Sequence, residues 1–373
     1  MTPITFAQVD LGALKSNLDA IRLRTDAAVL LPVKANAYGH GAVRVAQAAD
    51  RGGWADWFGV ATVGEGVALA KAGVTKPILK LSSTLPDEVG VAIDHGLRLT
   101  VTDRAGVAEA ARVAKARGGI ARLHLKVDTG MGRLGVEPSQ APGMAELIEA
   151  NPHLDLEGVF THFAVSDKPK HDGFTRGQLG RFRDCVDSAT QRIGRRPLIH
   201  AANSGAVLSY PESWFDMVRP GILSYGYYPD PTSPRSVPVT PVMSLITHLT
   251  YVKTVHAGST VGYGRTWQAD RDTRVGTFPV GYGDGYDRRL SNCVNVVVAG
   301  HSYPQIGLIC MDQSMVDLGP TSTIRAGEKV TLMGHDGRQD IDAEALATRV
   351  GTISYAMLCG IAARVPRVYV DGQ

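Results

Sequence analysis

AVLLPVKA (residues 28–35) is the first of eight short apolar runs whose spacing decides the fold. The others are WFGVAT (57–62), PILKLS (77–82), LRLTV (97–101), RLHLKVD (122–128), LEGVFTHF (156–163), PLIHA (197–201) and FDMVRP (215–220). Each is brief and rich in aliphatic residues, as a strand buried on both faces requires. Helical patterns lie between them, among them 63–72, 104–116 and 174–193. Strands separated by helices pair in parallel through right-handed crossovers. Eight such units close naturally into a (β/α)8 TIM-type barrel. An open doubly wound sheet is the competing α/β arrangement, and the lack of a GxGxxG after an early strand counts against it.

A proline-rich stretch, YPDPTSPRSVPVTP (228–241), ends the alternation. Beyond it come strand-like runs with glycine turns: SLITHLTYVKTV (244–255), RVGTFPVGY (274–282), CVNVVVAG (293–300), QIGLICM (305–311) and KVTLMG (329–334). These predict a mainly β C-terminal domain with one short helical stretch at 341–349. The expected division is a barrel over 1–235 and a β domain over 236–373. The first ten or so residues are expected to pack with the second domain.

With 373 residues the chain is long enough for such a plan without disulfides. Net charge is 39 − 36 = +3, and the basic residues are scattered, which argues against a nucleic-acid partner. No apolar run reaches the ~20 residues of a membrane span. The opening MTPITFAQVDLGAL lacks the pattern of a secretory signal, so a cytoplasmic location is expected. Cys185, Cys293, Cys310 and Cys359 lie far apart and suit reduced thiols, and no zinc-ligand spacing predicts a metal.

Barrels do their chemistry at the C-terminal ends of their strands. Those ends carry Lys34, then Lys126, Asp128 and Arg133, then His162, then His200, Asn203 and Ser204, then Arg219. Alone, each suits a surface cation or a structural histidine. Together, at one rim, they suggest a site. Asn203-Ser204-Gly205 and Pro220-Gly221-Ile222 follow the seventh and eighth runs, where barrels commonly hold a phosphate, although either is equally a plain turn or helix cap. A semi-buried Lys34 among other cations has the makings of a nucleophile toward a carbonyl. A Schiff-base lysine beside a phosphate site points to pyridoxal 5'-phosphate.

PVKANAYGHG (32–41), HLKVDTGMGRLG (124–135), THFA (161–164), HAANS (200–204), RPGI (219–222), VGYGRTW (261–267), PVGYGDGY (279–286), ICMDQSMVDLG (309–319) and TISYAMLC (352–359) together resemble the bacterial alanine racemase family. The likeness runs from about residue 4 to about 370. It implies a pyridoxal phosphate enzyme that interconverts L- and D-alanine and supplies D-alanine for peptidoglycan. By similarity, Lys34 holds the cofactor as an internal aldimine and serves as the base toward D-alanine. Tyr263 serves L-alanine from the opposite face. A phenol is a poor base near neutral pH unless its anion is stabilised, and the family pattern implies that His200 hydrogen-bonds Tyr263.

Arg219 matches the residue facing the cofactor's ring nitrogen. Arginine keeps its proton, so that nitrogen accepts a hydrogen bond and stays unprotonated, which limits charge delocalisation and side reactions. His162 is expected to orient Arg219. Arg133 is expected to contact the cofactor phenolic oxygen and the substrate carboxylate, and Lys126 matches a position often carbamylated in the family. Tyr38, Asn203, Ser204, Gly221, Ile222 and Tyr355 match the cofactor- and phosphate-binding set. The Met311 backbone N–H is expected to bind the substrate carboxylate, with Asp312, Tyr282 and Tyr355 at a narrow mouth. The family's sites are composite, Tyr263 and Met311 reaching the barrel of a second subunit, so a homodimer is implied. One departure is Gly283, where the pattern leads one to expect Ala.

A barrel decarboxylase, a racemase of broader substrate range and a non-enzyme cofactor-binding protein are the weaker readings. Barrel decarboxylases pair the ring nitrogen with an acid, which conflicts with Arg219. Single-barrel cofactor-binding proteins lack the second domain.

Overall fold

The computed structural model describes residues 3–337 and 339–371. The chain divides into two units, one of Leu14–Ala37 and Gly41–Thr240, the other of Met1–Ala13, Tyr38–His40 and Pro241–Gln373. The first is the expected barrel. After a strand β1 (Phe6–Asp10) in the other unit, eight strands close in parallel: β2 (Ala28–Pro32), β3 (Trp57–Val60), β4 (Ile78–Ser83), β5 (Arg98–Val101), β6 (Ala121–Lys126), β7 (Leu154–Phe160), β8 (Leu198–His200) and β9 (Met217–Val218). Closure is made by Ala28 and Val29 of β2 lying opposite Met217 and Val218 of β9. All eight apolar runs of the sequence are represented.

The barrel closes because most residues of its strands are apolar and must be buried. Leu30, Leu79 and Met217 are fully buried and meet inside it, each removed from water at about 1.5–3 kcal/mol. The intervening helices begin and end where local chemistry directs. Asp103 caps Arg104–Ala116 by accepting from the Gly106 N–H at 2.7 Å. That helix buries Val107, Ala110, Val113 and Ala114, the inward stripe of an amphipathic helix. Asp172–Ile193 stops at Gly194, whose φ of 72° suits glycine.

The second unit is a long, mostly antiparallel sheet. Its order is Tyr251–Val255, Thr273–Phe278, Ser314–Gly319, His301–Ile306, Asn295–Val298, Lys329–Asp336, Met243–His248, β1 and Arg367–Val370. β1 pairs antiparallel with Met243–His248 and parallel with Arg367–Val370. The run 244–255 is two strands instead of one. At Leu249 and Thr250 the chain changes partner, from Glu328 to Thr277. QIGLICM is not a strand beyond Ile306, because Gly307 turns the chain at φ 69°. Two helices interrupt the sheet, Ala343–Arg349 and Ser354–Gly360, the second hidden in the TISYAMLC motif.

Candidate functional site

Lys34 leaves the end of β2 half-buried, and the backbone after it is unusual. Ala35, Asn36, Ala37 and Tyr38 all have φ between 51° and 54°. Left-handed backbone costs a non-glycine residue about 1–2 kcal/mol each, so this turn persists only because its surroundings hold it. The Ala37 N–H donates to Val33 O at 2.8 Å and the Ala42 N–H to Asn36 Oδ1 at 2.9 Å.

Lys126 ends β6 and is buried, its Nζ donating to Val127 O at 2.9 Å and lying 5.4 Å from the Phe160 ring centroid. Burial, with Arg219 and Arg133 nearby, brings its pKa down to about 7 against the pull of Asp128. The loop that follows is set by Asp128, whose Oδ1 accepts from the amides of Gly130, Met131 and Gly132. Arg133, carried on that loop, has no hydrogen-bond or ion-pair partner among the described residues.

Arg219 follows β9 and is buried. Its Nη2 donates to Thr161 O at 2.7 Å and Ala201 O at 2.9 Å, with His162 Nδ1 at 3.4 Å. Its Nη1 meets His200 Nδ1 at 2.9 Å. No carboxylate bonds it, and its Nε makes no hydrogen bond among the described residues. His162 is held neutral, its pKa pushed well below the usual value by burial and then by Arg219, Lys126, Arg133 and Lys34.

The expected bond from His200 to Tyr263 is corrected here. Both ring nitrogens of His200 are already engaged, one with Arg219 and the other with His124 Nδ1 at 2.9 Å. His124 Nε2 in turn meets Glu157 Oε2 at 3.3 Å, and Glu157 pairs with Arg98 at 3.2 Å. His124 and Glu157 are not among the residues that the strand ends pick out. A signal for His124 was available: in β6 it lies two residues before Lys126, and alternate residues of a strand share one face.

The two candidate phosphate turns come together. Asn203 caps Ser204–Ser209, its Oδ1 accepting from the Ala206 N–H at 3.1 Å and the Ser166 hydroxyl at 2.7 Å. The Leu223 N–H donates to Ser204 Oγ at 3.3 Å, which joins this turn to Gly221–Ser224. Ser204, Gly205, Gly221 and Ile222 are buried, and their amides have no acceptor among the described residues. A Cβ on Gly205 would lie 2.7 Å from Asp167 N, so only glycine fits there. Buried N–H groups without acceptors suit a bound phosphate, and Arg219 Nε suits a ring nitrogen. On these grounds the barrel residues fit pyridoxal phosphate.

The remaining predicted residues belong to the β unit. Tyr263 is 72% exposed and Met311 55% exposed, the latter's segment tied to Tyr282 and Gly283 by Tyr282 N–H to Cys310 O (3.0 Å) and Gly283 N–H to Met311 O (2.9 Å). Asp312 pairs with Arg364 at 2.8 Å, as does Asp284. The rings of Tyr38 and Tyr355 lie 6.0 Å apart. Among the described residues no cluster of three or more His, Cys, Asp or Glu is placed to hold a metal ion.

Two family models cover the chain, the alanine racemase N-terminal domain over residues 9–229 and the alanine racemase C-terminal domain over 242–369. The chain belongs to the alanine racemase family. Like its relatives it is an isomerase. It is 44% identical over 365 residues to the alanine racemase of Cutibacterium acnes, spanning 98% of this chain and 97% of that one. The alanine racemase structure from Clostridium difficile superposes with a TM-score of 0.93 at 33% identity, over 100% of this chain and 97% of that one. A histidine racemase from Leuconostoc mesenteroides superposes at 0.89 and 28% identity, over 99% and 98%.

Proposed function

We propose that this protein is a pyridoxal phosphate-dependent racemase that interconverts L-alanine and D-alanine. The observation that carries this reading is on the barrel rim. Lys34 follows β2, and Arg219, a buried cation with a donor to spare and no carboxylate bonded to it, follows the adjacent β9. When bound, the cofactor supplies an electron-withdrawing ring that acidifies the substrate Cα–H.

The chain's own residues do the rest. The Ser204, Gly221 and Ile222 region, with Tyr38 and Tyr355, holds the phosphate. Arg219 donates to the ring nitrogen and, being unable to yield its proton, leaves that nitrogen unprotonated. His162 and His200 hold the guanidinium in place. Lys34 would hold the cofactor's carbonyl carbon at rest and, once the substrate amine has replaced it there, its freed amine would move a proton at Cα on one face. Tyr263 of a second copy moves it on the other, so the working unit is a homodimer. The exposure of Tyr263 and Met311 supports this, since both side chains are open to reach another subunit.

Lys126 is a carbamate in the working enzyme. An amine with a pKa near 7 has a substantial neutral fraction at physiological pH, the form that reacts with carbon dioxide, and Arg133 stands nearby without an anionic partner. The Met311 amide takes the substrate carboxylate, while Tyr282 and Asp312 narrow the mouth. The enzyme works in the cytoplasm, where its four cysteines stay reduced and its product feeds peptidoglycan synthesis.

A chiral assay of the purified protein with pyridoxal phosphate and L-alanine tests the reading, with D-alanine as the expected product. The likeness to a histidine racemase favours one second reading, a racemase for larger amino acids. Faster racemisation of histidine, lysine or arginine than of alanine would decide for it.

A further inference from the structure

We infer that Glu65 is a positioning residue for Lys34, acting through the left-handed turn that follows it; the inference rests on the proposed role of Lys34 as cofactor anchor. Thr62-Val63-Gly64-Glu65 opens the helix Val63–Lys71 as a capping box. The Glu65 N–H donates to Thr62 Oγ1 at 3.1 Å, and Glu65 Oε2 accepts from the amides of Ala61 (2.8 Å) and Thr62 (3.2 Å). A capping box needs only that one oxygen. The other, Oε1, reaches across to the turn after β2 and accepts from the Ala35 N–H at 2.7 Å.

That bond falls on the peptide joining Lys34 to the first left-handed residue, Ala35 (φ 51°, ψ 49°). The side chains of Ala35 and Asn36 are exposed, so packing does not hold them in this disfavoured region. Hydrogen bonds must hold them. Asn36 secures the far end through Gly41 N–H to its O at 2.8 Å and Ala42 N–H to its Oδ1. Glu65 secures the near end. Pinning the Ala35 amide limits ψ of Lys34 and φ of Ala35, and so the direction in which the lysine leaves the rim.

A carboxylate accepts on both oxygens and donates on neither. A carboxamide accepts on one side only, so Glu65→Gln must turn an N–H toward either Ala35 or the helix cap. Thr62→Ala removes the cap bond and leaves Ala35 untouched, which makes it the structural control. In holoenzyme, Glu65→Gln is expected to lower kcat about 10- to 100-fold, the range for a small displacement of a reacting group. KM should move less than about threefold, as for loss of an interaction made mainly in the transition state.

Two readouts do not depend on turnover. The circular dichroism of the cofactor's absorption band should change in Glu65→Gln and not in Thr62→Ala. The fraction of Lys34 trapped by borohydride, read by peptide mass, should fall in the same variant alone. Should Glu65→Gln not fold, Glu65→Asp, which keeps the charge and withdraws the carboxylate by one methylene, is read in the same way. Unchanged dichroism, trapping and kcat in a folded Glu65 variant, with Lys34 fully trapped in the wild type, would overturn the role of Glu65 alone. A wild-type protein with no cofactor trapped on Lys34 would overturn the proposed function, and this role with it.

Discussion

Arg219 Nη1 and His200 Nδ1 lie 2.9 Å apart, and the direction of that hydrogen bond settles the tautomers of two buried histidines. A guanidinium can only donate, so His200 Nδ1 accepts and its proton sits on Nε2. His200 Nε2–H then donates to His124 Nδ1, and His124 Nε2–H donates to Glu157. The cation at the site is thereby coupled to a carboxylate outside it through two neutral imidazoles. Removing the middle of this chain strands a buried charged donor. His200→Phe is expected to cost about 2–3 kcal/mol, the scale of a lost hydrogen bond to a charged group plus the group left unpaired. Glu157→Gln, at the chain's partly buried end, keeps an amide oxygen that can accept from His124 and should cost less than His200→Phe. Urea denaturation of the two variants checks the order.

The same neutrality sets the response to acid. Burial holds His200 and His162 well below the usual histidine pKa, and it lowers His124 as well. In the unfolded chain these groups take up protons below about pH 6.5, while in the native protein they do not. Unfolding therefore binds protons in acid, and stability is full above pH 6.5 and falls as the pH drops below it. Each histidine adds up to about 1.4 kcal/mol per pH unit to the slope. Urea midpoints of the apoprotein between pH 7.5 and 5 should show this fall, and His162→Gln should make it shallower. A midpoint indifferent to pH across that window would show that these histidines are not held neutral.

Carbamylation of Lys126 predicts dependence on dissolved carbon dioxide. Protein held in bicarbonate should show a carbamate carbon signal with 13C-labelled carbon dioxide, lost on acidification and absent from Lys126→Ala. The variant should retain cofactor and lose activity by about 10- to 100-fold, as when a group that orients an electrostatic contact is removed.

Composite sites make a sharper forecast. Lys34→Ala and Tyr263→Phe homodimers should each be inactive or nearly so, a lost general base costing about 10²- to 10⁴-fold. Mixing them under subunit exchange should restore about a quarter of wild-type activity, since half the dimers are mixed and each of those has one intact site. No recovery in a mixture shown by mass to contain mixed dimers would place both bases in one chain.

Gly283 has a packing reason for being glycine. A Cβ there would lie 2.6 Å from Arg364 Nη2 and 3.0 Å from Met311 O. Arg364 also pairs with Asp284 and Asp312. Gly283→Ala is expected to push the half-exposed Arg364 guanidinium aside, which its flexible side chain absorbs at less than about 1 kcal/mol, and to raise KM for alanine. Thermal unfolding and steady-state kinetics measure the two effects.

What the sequence by itself determined was the barrel, its order and most of its rim. Eight aliphatic runs spaced by helical patterns have one economical closure, and Lys34, Lys126, His162 and Arg219 follow from looking at strand ends. Alternation along β6 puts His124 on the face of Lys126, but strand ends alone do not single it out. Only the tertiary structure decided which groups meet. His200, His124 and Glu157 lie on three different strands, so neighbouring residues say nothing about their hydrogen bonds, and the partner assigned to His200 by likeness gave way to two nearer ones. The left-handed turn after Lys34 was equally hidden. Of Ala, Asn, Ala and Tyr only Asn adopts that backbone readily, and four such residues in a row persist because the hydrogen bonds at Glu65 and Asn36 outweigh the local sterics of the chain.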